Sequence, residues 1–114
     1  MSNMYSDSVT RLRAPLVTDR YGNQTTDRDW PNAVQTQFRG VNVQPDNSVE
    51  SVGERTSVTT AWRLVGPKGR DFDVLRTDRL VYDGMTLEVD GEVARYRYAG
   101  RVHHVEIRMV RVSG

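Results

Sequence analysis

The side chains able to do chemistry are few, and their spacing argues against catalysis. The only histidines, His103 and His104, are adjacent. On a strand, neighbours point to opposite faces, so the pair is not expected to chelate one metal ion. Asp71, Asp73 and Asp78 lie close together, but a calcium loop needs oxygen ligands at alternate positions around a glycine turn, ending in a glutamate. Phe72, Val74 and Leu75 interrupt that pattern, and a solvated loop is the expected reading. Gly66-Pro67-Lys68-Gly69 lacks the spacing and the Lys-Ser/Thr pair of a phosphate loop and reads as a turn. No Gly-x-Ser-x-Gly elbow occurs. The chain is therefore expected not to be an enzyme, and no cofactor is expected.

One cluster does suggest recognition. Arg95, Tyr96, Arg97, Tyr98 and Arg101 interleave cations with aromatic rings. Such a patch suits a protein interface, where Tyr and Arg are enriched, and a subunit contact is the expected use. A small barrel that stacks single-stranded nucleic acid is the alternative. The formal net charge of +1 weighs against it.

These residues need a scaffold, and 114 residues make one domain, 1–114. There is no cysteine, so neither a disulfide frame nor a thiolate metal site is possible. No apolar run approaches the length that spans a bilayer, and the first residues lack the basic and apolar regions of a signal peptide. With two Trp and two Phe, the core is expected to rest on Val, Leu and Tyr.

Alternation, not helical periodicity, organises the chain. Val9–Val17 reads as a first strand interrupted by Pro15, which implies an edge. Asp19–Asn23 is a turn, and Gln24–Asp29 a short polar return. In Ala33–Gln44, Val34, Thr36 and Phe38 share one parity while Val41 and Val43 take the other, which predicts a bulge at Gly40. Ser57–Val65 alternates again, and Phe72–Asp78 is irregular or one turn of helix. Asp83-Gly84 between alternating hydrophobics predicts a two-residue hairpin, with Met85, Leu87 and Val89 inward. Val93–Arg101 reads as a strand end and exposed loop, and Val102–Val112 as a final long strand. The fold class is all-β: a small antiparallel barrel or sandwich of five to seven strands with long loops. Residues 1–7 read as an N-terminal arm. The polar stretch Pro45, Asp46, Asn47, Ser48, Val49, Glu50, Ser51, Val52, Gly53, Glu54 and Arg55 reads as a projecting loop, longer than common connections.

Taken in order, four features resemble the head-to-tail stopper (head–tail joining, or neck) proteins of long-tailed bacteriophages. They are Tyr21-Gly22-Asn23 running to Asp29-Trp30, and Val41–Pro45 before a polar loop. They are also Arg76–Gly84 leading into Leu87–Glu92, and His104–Ile107 opening a strand that ends Val110-Arg111-Val112. The Arg95–Gly100 stretch departs from the pattern in charge and aromaticity. The resemblance implies a virion protein whose copies form a ring, sixfold by expectation, between an adaptor on the portal side and a tail terminator or tail-tube protein. It implies that the ring closes the DNA channel after packaging, through the 45–55 loop, and docks the tail. Packaged double-stranded DNA would be touched in the channel, and no membrane is involved. A tail terminator ring is the nearest alternative.

Overall fold

A computed structural model describes residues 5–46 and 61–112. Among them there is no α-helix. Nine strands are present: β1 (Asp7–Arg13), β2 (Leu16–Thr18), β3 (Gln24–Arg28), β4 (Val34–Pro45), β5 (Ala61–Val65), β6 (Arg79–Tyr82), β7 (Met85–Val89), β8 (Ala94–Tyr98) and β9 (Arg101–Arg111). Seven lie in one antiparallel sheet, ordered β5-β4-β1-β6-β7-β9-β8, and a further β5–β9 pairing closes six of them into a ring. β8 hangs on β9 outside that ring. β2 and β3 form a separate two-stranded sheet.

Two glycine devices shape the ring. Gly40 adopts φ +73°, and the register skips it: Asp7 faces Val41 while Ser8 faces Arg39. The expected bulge is therefore present. It switches the inward parity so that Val41 and Val43 are buried while Val34 stays exposed. At the β6–β7 turn Asp83 and Gly84 both have positive φ, and Tyr82 faces Met85 across it, as the Asp-Gly signal requires.

The ring encloses Val9, Val41, Leu64, Leu80, Leu87, Val105, Ile107 and Met109, each at most 2% exposed. The segment between β5 and β6 adds Phe72 and Val74 to this core. Tyrosine fills the role expected of it only in part: Tyr82 packs, partly buried, against the core. Tyr21, Tyr96 and Tyr98 are exposed, and Trp62, Phe72 and Met109 take the large core positions instead.

Other expectations also change. Pro15 does not mark a sheet edge, because β1 lies between β4 and β6. It ends β1, and its carbonyl accepts from Asp29 N–H at 2.9 Å, closing the base of the β2–β3 hairpin. Asp7 belongs to β1 rather than to an arm, and its carboxylate accepts from Val43 N–H at 2.9 Å. Val93–Arg101 is no loose end. β8 pairs with β9 through a two-residue turn in which Ala99 (φ 51°) and Gly100 (φ 78°) are both left-handed.

Candidate subunit interface

The five residues singled out at 95–101 lie on the β8–β9 hairpin but divide by role. Arg95 is half-buried and committed: its Nε donates to Asp71 at 3.0 Å and its Nη2 to the Phe72 carbonyl at 2.9 Å. It fastens the 71–72 segment over the core. Tyr96 stacks on His104, with ring centroids 4.6 Å apart and planes 11° apart. Arg97, Tyr98 and Arg101 are exposed, and Tyr98 is 77% accessible.

The sequence reading missed Lys68, the one lysine in the chain. The Gly66–Gly69 turn docks on β9 through Gly66 N–H to the Val105 carbonyl (2.8 Å) and Gly69 N–H to the His103 carbonyl (2.7 Å). That docking brings Lys68 to the hairpin tip. A cavity of about 430 Å³ there is lined by Lys68, Tyr98, Arg101 and His103, with Gly69, Ala99 and Val102.

The histidines also depart from expectation. The β8–β9 register shifts between Tyr96 and Arg97: Tyr96 faces His104, Arg97 faces Val102, and His103 faces no residue of β8. That bulge breaks the strict alternation. It brings the two Nδ1 atoms within 2.8 Å of each other, instead of placing the rings on opposite faces. His104 Nε2 is 2.8 Å from Glu106, and Glu106 also accepts from Arg63 Nη1 at 2.8 Å. These two contacts, His104 first, hold the Glu106 carboxyl below its ordinary value despite partial burial. Glu106 and Asp46 hold the Arg63 guanidinium above its own. Among the described residues, no group of three or more histidines or carboxylates is arranged to hold a metal ion.

The candidate loop can be described only at its root. Pro45 ends β4 opposite Trp62. Asp46 N–H donates to the Ala61 carbonyl at 2.9 Å, and its carboxylate lies 3.0 Å from Arg63 Nη2 and 3.5 Å from Arg108 Nε. The chain thus leaves and re-enters the ring at hydrogen-bonded neighbours. Asn47 through Arg55 fall outside the described residues.

Of the three aspartates at 71–78, Asp71 and Asp73 are solvated as expected, 52% and 71% exposed, whereas Asp78 is buried. All three nevertheless pair with arginines, Asp71 with Arg95 of β8 and the other two with β1. Asp78 is buried and accepts from Arg13 Nε (3.0 Å) and Nη2 (2.8 Å) and from Leu75 N–H (2.8 Å). Asp73 pairs with Arg13 at 3.2 Å and Arg11 at 3.3 Å. Hydrogen bonds from Arg13 hold the Asp73 carboxyl below its ordinary value. Asp78, then Asp73, raise the Arg13 guanidinium.

A second exposed element faces the other way along the ring. The β2–β3 hairpin carries Tyr21 at its tip, 73% accessible. There Asp19 accepts from the N–H groups of Tyr21 and Asn23, both at 2.9 Å. At its base Arg28 Nη1 donates to the Ala14 carbonyl at 3.1 Å, and Arg79 lies 4.0 Å over the Trp30 ring. An isolated two-stranded hairpin is marginal in water, so these base contacts hold the arm in place.

No protein-family model matches the chain, and no curated protein does. Among solved structures, it is similar to the phage-like element PBSX protein xkdH from Bacillus subtilis. The two are 15% identical over 92% of each chain, with a TM-score of 0.47. That likeness is too slight to say what this chain does.

Proposed function

We propose that the chain is a structural, non-catalytic subunit of the ring that joins head to tail in a tailed phage. In this reading the ring sits as a stopper, closing the channel after DNA packaging and docking the tail. The observation that supports this most is a strand ring from which two hairpins, β2–β3 and β8–β9, stand out with free strand edges. Inside one copy the ring hides its edges, whereas among the described residues the outer edges of β3 and β8 have no strand partner and can pair or dock elsewhere. The sequence resemblance agrees with that arrangement. Tyr21-Gly22 forms the tip of one hairpin, and Arg76–Glu92 spans the β6–β7 hairpin.

Microscopy of intact particles tests the reading: a ring of this chain between portal adaptor and tail is the expected result. A ring seated directly on the tail tube, beneath another small β ring, would make it a terminator, and absence from the particle would refute both. One observation favours a second reading. Tyr98 and its neighbouring cations are exposed, as single-strand binding requires. That reading predicts salt-sensitive oligonucleotide binding at about 50 mM salt, and no binding there ends it.

A further inference from the structure

Most arginines of this molecule already have partners. Arg11, Arg13, Arg63, Arg76, Arg95 and Arg108 each meet a carboxylate. Lys68, Arg97 and Arg101 are exposed and have no hydrogen bond or ion pair to another described residue. Lys68 and Arg101 border the cavity at the β8–β9 tip, together with Tyr98 and His103, whereas Arg97 does not line it. No carboxylate occurs in Gly66–Arg70 or in Ala94–Val105. Two like charges at one cavity repel each other, and an anion between them relieves that repulsion.

His103 adds a condition, set by the atoms behind it. The Glu106 carboxyl is held below its ordinary value and is ionised at neutral pH. His104 Nε2, 2.8 Å from it, must then carry the proton between them. A neutral His104 therefore has a bare Nδ1, and His103 Nδ1, 2.8 Å away, is the donor to it. That leaves a neutral His103 with a lone pair on Nε2, which an anion avoids. Protonating Nε2 makes it a donor and keeps the Nδ1 contact with His104. The charged and titratable groups around His103 are Arg101, His104 and Glu106 of β9, Tyr96 and Tyr98 of β8, and Lys68 of the turn. Of these only Glu106 is negative at neutral pH, and Arg63 pairs with it.

We propose that this cavity binds a carboxylate from an acidic segment of another protein, held by Lys68 and Arg101, and that His103 takes up a proton as it binds. Nucleic acid suits the tip less well. A site that tracks a strand needs a groove of cations and successive rings on which bases stack. Here two cations converge on one cavity, and Tyr96 is already stacked on His104. The site lies within a single chain, so the proposal goes beyond the ring-subunit reading and does not depend on it.

Calorimetric titration of the full chain at about 50 mM salt tests it, low enough that charges are little screened. The probe is a short peptide of alternating glutamate and serine, and its glutamine counterpart is the control. Only the glutamate peptide is expected to bind, about tenfold more tightly near pH 6 than near pH 8, because histidine gains its proton over that range. Buffers of different ionisation heat should show proton uptake on binding. Lys68→Gln and Arg101→Gln should each weaken binding about tenfold. Arg97→Gln removes the same charge outside the cavity and should change it less than about twofold. His103→Gln should keep the affinity seen near pH 8 and lose both the pH dependence and the proton uptake. All four side chains are exposed, and each variant is expected to keep the parent's circular dichroism. The proposal is overturned if neither peptide binds, if both bind equally, or if Arg97→Gln weakens binding as much as Arg101→Gln. Binding by the parent that does not change with pH overturns it too. If a short single-stranded oligonucleotide binds more tightly than the peptide and loses affinity in the Lys68 and Arg101 variants, the cavity belongs to nucleic acid and the proposal fails.

Discussion

Replacing Asp78 should cost this domain more than any other single carboxylate change at 71–78. Its side chain is 1% exposed and accepts two hydrogen bonds from Arg13 and one from Leu75 N–H. Breaking a fully buried pair costs about 3–5 kcal/mol. Here the partner moderates the loss, because Arg13 is 31% exposed and keeps Asp73. Leu75 N–H is left orphaned, at about 1–3 kcal/mol. Together these place Asp78→Ala near 3 kcal/mol, about 12 °C in melting temperature for a domain of this size. Asp78→Asn keeps an acceptor and should lose about half as much. Asp73→Ala is the control: its carboxylate is 71% exposed, so solvent screens its ion pairs and its loss should be clearly smaller than that of Asp78. Urea denaturation of the three variants measures the differences. If Asp78→Ala costs under about 1 kcal/mol, or no more than Asp73→Ala, the segment before β6 is not held by its carboxylates and the argument fails.

Three further outcomes follow from single positions. A Cβ at Gly66 would fall 2.3 Å from Cε2 of buried Phe72, so Gly66→Ala should destabilise by about 2 kcal/mol through overpacking; adding Phe72→Leu should restore part of that in the same denaturation assay. Ala99→Gly should stabilise by about 0.5 kcal/mol, since φ 51° suits glycine better than alanine; an unchanged or lower urea midpoint counts against a strained turn. Glu106 has its folded carboxyl held below the ordinary 4.5, so its contribution is complete above that pH and is lost as pH falls through the lowered value. Glu106→Gln should therefore flatten the decline in stability on acidification, and parallel pH profiles for the two proteins would show that His104 and Arg63 do not hold it as described.

What was legible in the sequence is what short-range chemistry dictates. Asp83-Gly84 encodes its turn because both central residues must take positive φ. The parity switch from Phe38 to Val41 encodes the Gly40 bulge because a ring needs its hydrophobic side kept inward. The β8–β9 turn gave no such sign. Ala99 is a poor left-handed residue, and the turn exists because β9 supplies a partner for all of β8. The histidine geometry was hidden for a related reason. Alternation places neighbours on opposite faces only while the register holds, and the bulge at His103 occurs with no glycine to announce it. The partners of Asp73 and Asp78 are also silent in the sequence, since Arg11 and Arg13 lie about sixty residues away.

The same long-range pairing decides what the net charge means. By sequence, residues 1–54 carry five basic and seven acidic side chains, and residues 55–114 carry eleven and eight. That imbalance suggests an acidic half and a basic half. The fold does not keep the halves apart: arginines of β1 neutralise aspartates of the second half, while Asp27 of the first half remains unpaired. The charges free to act on another molecule are thus set by which pairs the sheet order allows. Lys68 shows this most directly. In sequence it belongs to an ordinary turn, and it joins Arg101 only because Gly66 and Gly69 hydrogen-bond to β9. Any substitution that frees the Gly66–Gly69 turn from β9 should therefore weaken a tip-dependent contact without altering a single tip charge.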